Sequence, residues 1–503
     1  MQVSGTRTGR LQKPLRCKTP RLRCLTCRAL ARPAAERQRP QGLQKGASTL
    51  YQVPSQGGIS TQYQLIGATA LAFVLGNMDK VNMSVAIIPM SLDCGWSAGT
   101  SGLVQASFFW GYTLAQLPSG FLATKLGGSR VLPAGVALWS AATCAVPPLS
   151  STVIGLCTAR AAVGLGEAVA PTAAIDMVAN AVPAPERSRA VSFIFGGLHV
   201  GSILGLLACP WLIHNWGWQS VFFSFGASGL LWAAWFQWLR GSWQRHDPQF
   251  AALLQDYGPA AATQAAHSAE QAGRTRSAEA QPTGPAAAGL ASQSIPYRAF
   301  LRSRPVQALG VTHFCHNFLH YTMLAWLPTY FTSTLAVDLA HAAQTALLPP
   351  LAGIIASATA GPLADWLISR GLPVPRVRKA IQGTSFLAPL ALLLLACTEH
   401  VVHDRTASVA CITAALGLSS FSLAGLYCTP QDLSPKYASA LLSMSNTAGA
   451  LPGVIGVTLV GMLYDATQSW QVALFMPSAV FMVIGAYTYC VHCRNTYIDF
   501  DNQ

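Results

Sequence analysis

Arg160 and Glu167 stand seven residues apart in a run of apolar and small residues, ARAAVGLGEAVAP from Ala159. On an α-helix that interval is close to two turns, so both side chains leave one face with roughly 10 Å of rise between them. A charge in hydrocarbon costs at least a few kcal/mol, which marks an intramembrane pair as a candidate functional site. A third charge, Lys80, lies in NMDKVN (77–82) with apolar walls of about ten residues on either side, each too short to span a bilayer alone, so Lys80 sits deep. The chemistry this set suits is the binding of a desolvated anion: Arg160 supplies a planar fork and Lys80 a compact ammonium. Glu167 would neutralise Arg160 in the empty site and, on taking a proton, release it for substrate. The alternative is a static pair that fixes helix packing, which is a poor use of charge because buried ion pairs stabilise less than apolar packing. Asn77 and Asn82, flanking Lys80, either line such a site or bond across helices.

The elements that must position these residues are membrane helices. Of 503 residues 51% are hydrophobic and 10% charged, far below the roughly 25% charge of a soluble domain. The formal charge of +14 suggests a nucleic-acid binder until it is located: residues 1–62 hold nine Arg and three Lys against Glu36, leaving only +3 elsewhere. This leader has no apolar core and is almost free of acids, as in an organelle transit peptide; a basic, lipid-binding tail is the alternative. Thirteen cysteines form no ligand cluster, because Cys24/Cys27 and Cys490/Cys493 lie at opposite ends of the chain, so no structural zinc site is expected.

Twelve apolar segments follow, near 64–90, 102–126, 130–148, 153–182, 190–213 and 218–238, then 306–331, 345–368, 379–397, 407–429, 437–464 and 470–493. Between the sets, 240–304 is rich in Ala, Gln, Ser, Gly and Pro and has no periodicity, as in a disordered linker. The expected organisation is a leader (1–62), a six-helix half (63–239), a linker (240–304), a second six-helix half (305–493) and a tail (494–503). Basic residues gather in the leader and after the even-numbered spans (Lys125, Arg130, Arg187, Arg189, Arg370, Lys436), whereas Asp93, Asp338, Asp404 and Asp465 fall in the alternate connections. That asymmetry puts both termini on the cytosolic side or its organellar equivalent. The halves also echo each other: GFLATKLGGSR (120–130) and GPLADWLISRG (361–371) each close a second span, while PERSRA and PKYASA each open a fifth. Duplicated six-helix units are the basis of alternating-access transporters, with substrate held between the halves. The fold class expected is therefore an all-α membrane protein of twelve transmembrane helices in two pseudo-symmetric halves.

The loop motifs and PERSR resemble the major facilitator superfamily. NMDKVNMS, FFWGY, RAAVGLGEAVAP, WGWQSVFF, HFCHN and QDLSPKYAS resemble, more narrowly, its anion and phosphate symporter family, and the plastid phosphate branch in particular. The resemblance covers about 63–490 apart from the linker. It implies transport of inorganic phosphate, or of an organic anion such as ascorbate, coupled to H+ or Na+, by a monomer in a plastid membrane, with no other cofactor. It carries anion-binding roles onto Lys80, Arg160 and the tyrosine of FFWGY, Tyr112, and a coupling role onto Glu167. Gln105 stands where glutamate transporters of the family have a histidine, and His316 where they have a seventh-span arginine, which points to a smaller anion. Lys125, Arg130, Asp365 and Arg370 belong to the conformational motif after spans 2 and 8 and are expected to form gating salt bridges, with solvated loop charges as the alternative. Asp176 falls on another face of its helix, as a gate or cap.

To mark an enzyme there is no HExxH motif and no histidine cluster at one depth. A passive anion channel would use the same cations, but the duplication and the intramembrane acid favour a carrier.

Overall fold

The computed structural model describes residues 60–182, 187–254, 296–334, 338–402, 404–434, 437–493 and 497–500. The leader, most of the linker and tail, and the Pro-Glu and Pro-Lys pairs opening PERSRA and PKYASA lie outside the described residues. The N-terminal helices are α1 (Thr61–Cys94), α2 (Ala98–Leu126), α3 (Gly128–Cys144), α4 (Val153–Glu167), α5 (Ala170–Ala181), α6 (Arg187–Trp216) and α7 (Gln219–His246). The C-terminal ones are α8 (Arg304–Thr334), α9 (Leu339–Thr345), α10 (Leu348–Ser369), α11 (Val374–Ala396), α12 (Arg405–Ser419), α13 (Thr429–Leu433), α14 (Ala438–Thr467) and α15 (Met476–His492). With α4–α5, α9–α10 and α12–α13 each taken as one broken span, these are six spans and six.

Among the described residues, eight helical spans are long and apolar enough to cross a membrane by length and composition. The other four, α2, α3, α7 and α8, complete the bundle with less apolar sequence or shorter length: α8 carries His313, His316, Asn317 and His320, and α3 has only 17 residues. The polar NMDKVN does not break the first span, because α1 runs unbroken from Thr61 to Cys94. The fourth span does break, immediately after Glu167. Pro171 lies four residues beyond Glu167, lacks an N–H and would press its ring on the Glu167 carbonyl, so α4 stops there and α5 starts afresh with Pro171 in its first turn. The tenth span is interrupted in the same way, through 3₁₀ turns at Ser420–Ala424 and Leu426–Cys428 ahead of Pro430.

Small residues decide which helices touch. α2 and α4 meet backbone to backbone: a Cβ on Gly111 would lie 1.8 Å from the Ala161 carbonyl, and one on Gly164 would lie 2.0 Å from the Phe108 carbonyl. This contact seats the FFWGY turn of α2 against the helix bearing Arg160. Across the halves, α2 packs on α14 and α1 on α8. At the end carrying the acidic connections, Asp465 of α14 accepts hydrogen bonds from the Ala98 and Gly99 N–H groups, at 2.9 and 2.7 Å, in the first turn of α2. A carboxylate there meets open N–H groups and the positive end of the helix dipole, so it ties the two halves together.

Gly111→Ala should therefore cost about 1–3 kcal/mol or more by overpacking. Gly67→Ala, where nothing lies within 4 Å of the added carbon, should cost nothing measurable. Melting temperatures of the two variants in detergent check this, and equal values would contradict the α2–α4 contact.

Candidate functional site

A cavity of about 390 Å³ lies between the halves. Its N-terminal wall includes Asn77, Lys80 and Ser84 of α1, Tyr112 of α2, and His199 and Ser202 of α6. Its C-terminal wall includes His316, Asn317, His320 and Tyr321 of α8, with Ser419, Ser420, Ser422 and Tyr427 around the broken tenth span. The walls differ in kind. Lys80 is the one fixed charge among the lining residues, and the polar groups of the otherwise apolar C-terminal wall are neutral hydrogen-bonding side chains and histidines.

Lys80 reaches across to α4, where its Nζ lies 3.2 Å from Glu167 Oε2. Glu167 is the last residue of α4. The ammonium also stands 5.2 Å from the Phe108 ring centre and 5.1 Å from that of Tyr112, two rings stacked at 5.6 Å on successive turns of α2. Arg160 faces Phe108 as well, its guanidinium carbon 5.4 Å from the ring centre. Aromatic faces attract cations most where water is excluded, and Arg160 is only 2% exposed.

The expected pairing of Arg160 with Glu167 is not what forms. Although both leave one side of α4, Glu167 is taken by Lys80, and among the described residues Arg160 makes no ion pair. Its Nε and Nη1 have no hydrogen-bond partner, and neither has Glu167 Oε1. The acid that shares the electrostatic neighbourhood of Arg160 with Glu167 is Asp79, a residue the sequence reading passed over although it precedes Lys80. Asn82 Nδ2 donates to Asp79 Oδ1 at 2.7 Å and Thr143 Oγ1 donates to Oδ2.

The remaining sequence candidates divide. Lys80, Tyr112, Asn77 and His316 line the cavity; Arg160 and Glu167 are buried beside it. Asn82 is not a lining residue, because it is fully buried and turned to Asp79. Gln105 is not one either: it is 5% exposed on α2, and its Nε2 has no partner. Asn77 lines the cavity but also donates to the Leu198 carbonyl and to Ser202, so it bonds across helices as well. Ser422 Oγ sits 3.1 Å from His316 Nε2. One turn on, His320 faces the cavity, a position the i, i+4 spacing from His316 signals. Phe108 stands in the same relation to Tyr112.

Among the described residues, Lys125, Asp365 and Arg370 take part in none of the expected gating bridges. Lys125, Arg130, Asp365 and Arg370 are exposed. Lys125 lies over Phe121 at 4.4 Å and Arg370 over Trp366 at 4.8 Å, each cation folded back on its own helix. Asp176 acts as a cap, accepting from the Gly128 N–H at 2.8 Å. In the C-terminal half Arg378 of α11 pairs with Asp432 of α13 at 2.9 Å.

Two duplicated bundles closing on a cavity with buried charges on one wall match a known family along most of the chain: residues 68–457 fit the Major Facilitator Superfamily model. The chain belongs to the major facilitator superfamily. Members of this superfamily are transporters, not enzymes. Its relatives include "Probable anion transporter 6, chloroplastic" of Arabidopsis thaliana, 45% identical over 432 residues, covering 86% of this chain and 79% of that protein. "Sodium-dependent phosphate transport protein 1, chloroplastic" of the same plant is 37% identical, over 82% of this chain and 75% of its own length. "Ascorbate transporter, chloroplastic", also of Arabidopsis thaliana, is 36% identical, over 82% and 71%. Among solved structures, a bacterial homologue of the human lysosomal transporter Spinster, inward-facing and unoccupied, superposes with a TM-score of 0.62 at 17% identity, over 87% of this chain and 98% of the other. That last likeness concerns the fold alone.

Lys80→Met should leave Glu167 buried without its cation and cost about 3–5 kcal/mol. Adding Glu167→Gln should recover most of that loss. Melting temperatures of the single and double variants measure the coupling, and additive losses would contradict the pair.

Proposed function

We propose that this chain is a secondary active transporter of inorganic phosphate or a related small anion, coupled to H+ or Na+ by alternating access, and that it works as a monomer in a plastid membrane. The observation that carries the reading is the Lys80–Glu167 pair at the cavity wall, with Arg160 beside it holding N–H groups that have no acceptor. An anion entering the cavity competes with Glu167 for Lys80. A cation taken up at the open Oε1 of Glu167 neutralises the acid, releases Lys80 and lets the ammonium turn to the substrate. Anion and cation then enter together, because either alone leaves an uncompensated buried charge. The names of the phosphate and ascorbate relatives support the substrate class, and their chloroplast designation supports the location.

A second reading, an organic anion such as ascorbate or a carboxylate, is favoured by cavity size. At about 30 Å³ per water, 390 Å³ holds roughly a dozen waters, more than phosphate displaces.

Uptake of labelled phosphate, ascorbate and glutamate into proteoliposomes under imposed H+ or Na+ gradients tests both. Gradient-driven accumulation of phosphate is expected. Accumulation of ascorbate alone would select the second reading, and flux without trans-stimulated exchange would indicate a channel. Glu167→Gln should retain exchange but lose gradient-driven accumulation by about tenfold or more; unchanged accumulation would remove Glu167 from the coupling role.

A further inference from the structure

The tenth span gives up its regular helix between Ser420 and Cys428, where lipid offers no hydrogen bonds and every freed backbone group needs a partner within the protein. The tightened turns redirect the ladder. Gly425 N–H donates to the Ser422 carbonyl at 3.1 Å and Cys428 N–H to the Gly425 carbonyl at 3.2 Å, so the Leu426 N–H and the Ala424 carbonyl are served from another helix. Two side chains of α11, one helical turn apart, serve them. Leu426 N–H donates to Gln382 Oε1 at 2.8 Å, and Arg378 Nη1 donates to the Ala424 carbonyl at 2.8 Å. The approach is close, since a Cβ on Gly425 would lie 2.6 Å from Gln382 Oε1. Gln382 is fully buried, does not line the cavity, and keeps an Nε2 with no hydrogen-bond partner. A buried amide with an unmet donor is costly, so the oxygen is what this side chain contributes. The opposite side of the same turn is the cavity wall. Ser420, Ser422, Leu423 and Tyr427 line it, and Ser422 Oγ rests 3.1 Å from His316 Nε2.

We propose that Gln382 is a positioning residue for anion selectivity: by holding the Leu426 N–H from behind the cavity, it fixes the turn that sets Ser422 against His316 and presents Tyr427. The inference rests on the anion-carrier reading above. A turn of 3₁₀ geometry has weaker hydrogen bonds than an α-helix and no ladder to fix its pitch, so its shape follows from the side chains that grip it. Gln382 and Arg378 are that grip. Charge on the N-terminal wall attracts anions of any shape, whereas the hydroxyls on this turn meet only an anion whose oxygens match their spacing. Tetrahedral phosphate and flat ascorbate differ in that spacing. Moving a donor by about 1 Å is enough to change the relative transport of two such substrates, because a polar group in a closed site is lost when its partner is out of reach. The residue that decides between anions therefore stands one helix behind the wall that touches them.

Gln382→Met keeps the length of the side chain and removes the acceptor together with the unpartnered Nε2. With inorganic phosphate and ascorbate as probes in proteoliposomes, the ratio of their kcat/KM values should change by about fivefold or more, through KM, while turnover of the better substrate stays within about twofold. Equal losses for both anions would mean a merely structural role and overturn the proposal. In a chain that already carries Ser422→Ala, adding Gln382→Met should move the ratio by less than about twofold, and an undiminished shift there would overturn the route through the turn. Deuterium uptake by the backbone of residues 420–428, in purified protein without substrate, supplies a measurement independent of transport. Gln382→Met should speed it by about tenfold or more while residues 348–369 stay unchanged, and unaltered uptake at 420–428 would also overturn the proposal. Should wild-type protein accumulate neither probe, the carrier reading fails, and deuterium uptake alone still decides whether Gln382 holds the turn.

Discussion

Four ionisable side chains, Asp79, Lys80, Arg160 and Glu167, are buried or nearly so within helices that pass through a membrane, and the N-terminal half is arranged around the cost of keeping them there. Removing a charge from water costs several kcal/mol per ion even after the protein relaxes, and no single partner restores all of it. The restoration is shared. Lys80 has Glu167 in contact and two aromatic rings beside it; Asp79 has two hydrogen-bond donors; Arg160 has the face of Phe108 and two acids within reach. With both acids ionised the cluster sums to zero, the condition under which it can stay dry.

This constraint reaches into the packing. Lys80 meets Glu167 only if α1 and α4 both stand against α2, and the α2–α4 contact depends on glycine at Gly111 and Gly164, where any side chain would strike backbone. Glu167, the last residue of α4, leaves the same side of that helix as Arg160 yet meets Lys80 of α1. The glycine contact and the ion pair are thus parts of one arrangement.

The two halves, alike in helix order, differ in what they offer the cavity. The N-terminal wall brings the charge of Lys80, paired with Glu167; the C-terminal wall brings His316, Asn317, His320 and Tyr427, hydrogen-bonding groups without fixed charge. An anion between them would be attracted from one side and oriented from the other. Asp465 on the α2 amino terminus, with α14 packed along α2, closes the bundle at its acidic end, as one state of an alternating-access cycle requires.

Helix number, the depth of Lys80 and the presence of buried charges were legible in the sequence by itself, because apolar length and the position of a charge within it are properties of one segment. The resemblance of FFWGY and RAAVGLGEAVAP to a transporter family was legible for the same reason. Partnership was not. The seven-residue spacing put Arg160 and Glu167 on one face and suggested that they pair, yet side chains on one helix two turns apart compete with those of neighbouring helices, and Lys80 of α1 stands closer. Gln105 and Asn82 had plausible positions but point away from the cavity, a matter of helix rotation that α2 and α1 acquire only on packing. Asp79 was hidden beside Lys80 because adjacent residues on a helix face different neighbours, Thr143 in one case and Glu167 in the other. The sequence determined which charges enter the membrane; only the tertiary structure decided which of them meet, because that choice is made between helices rather than along them.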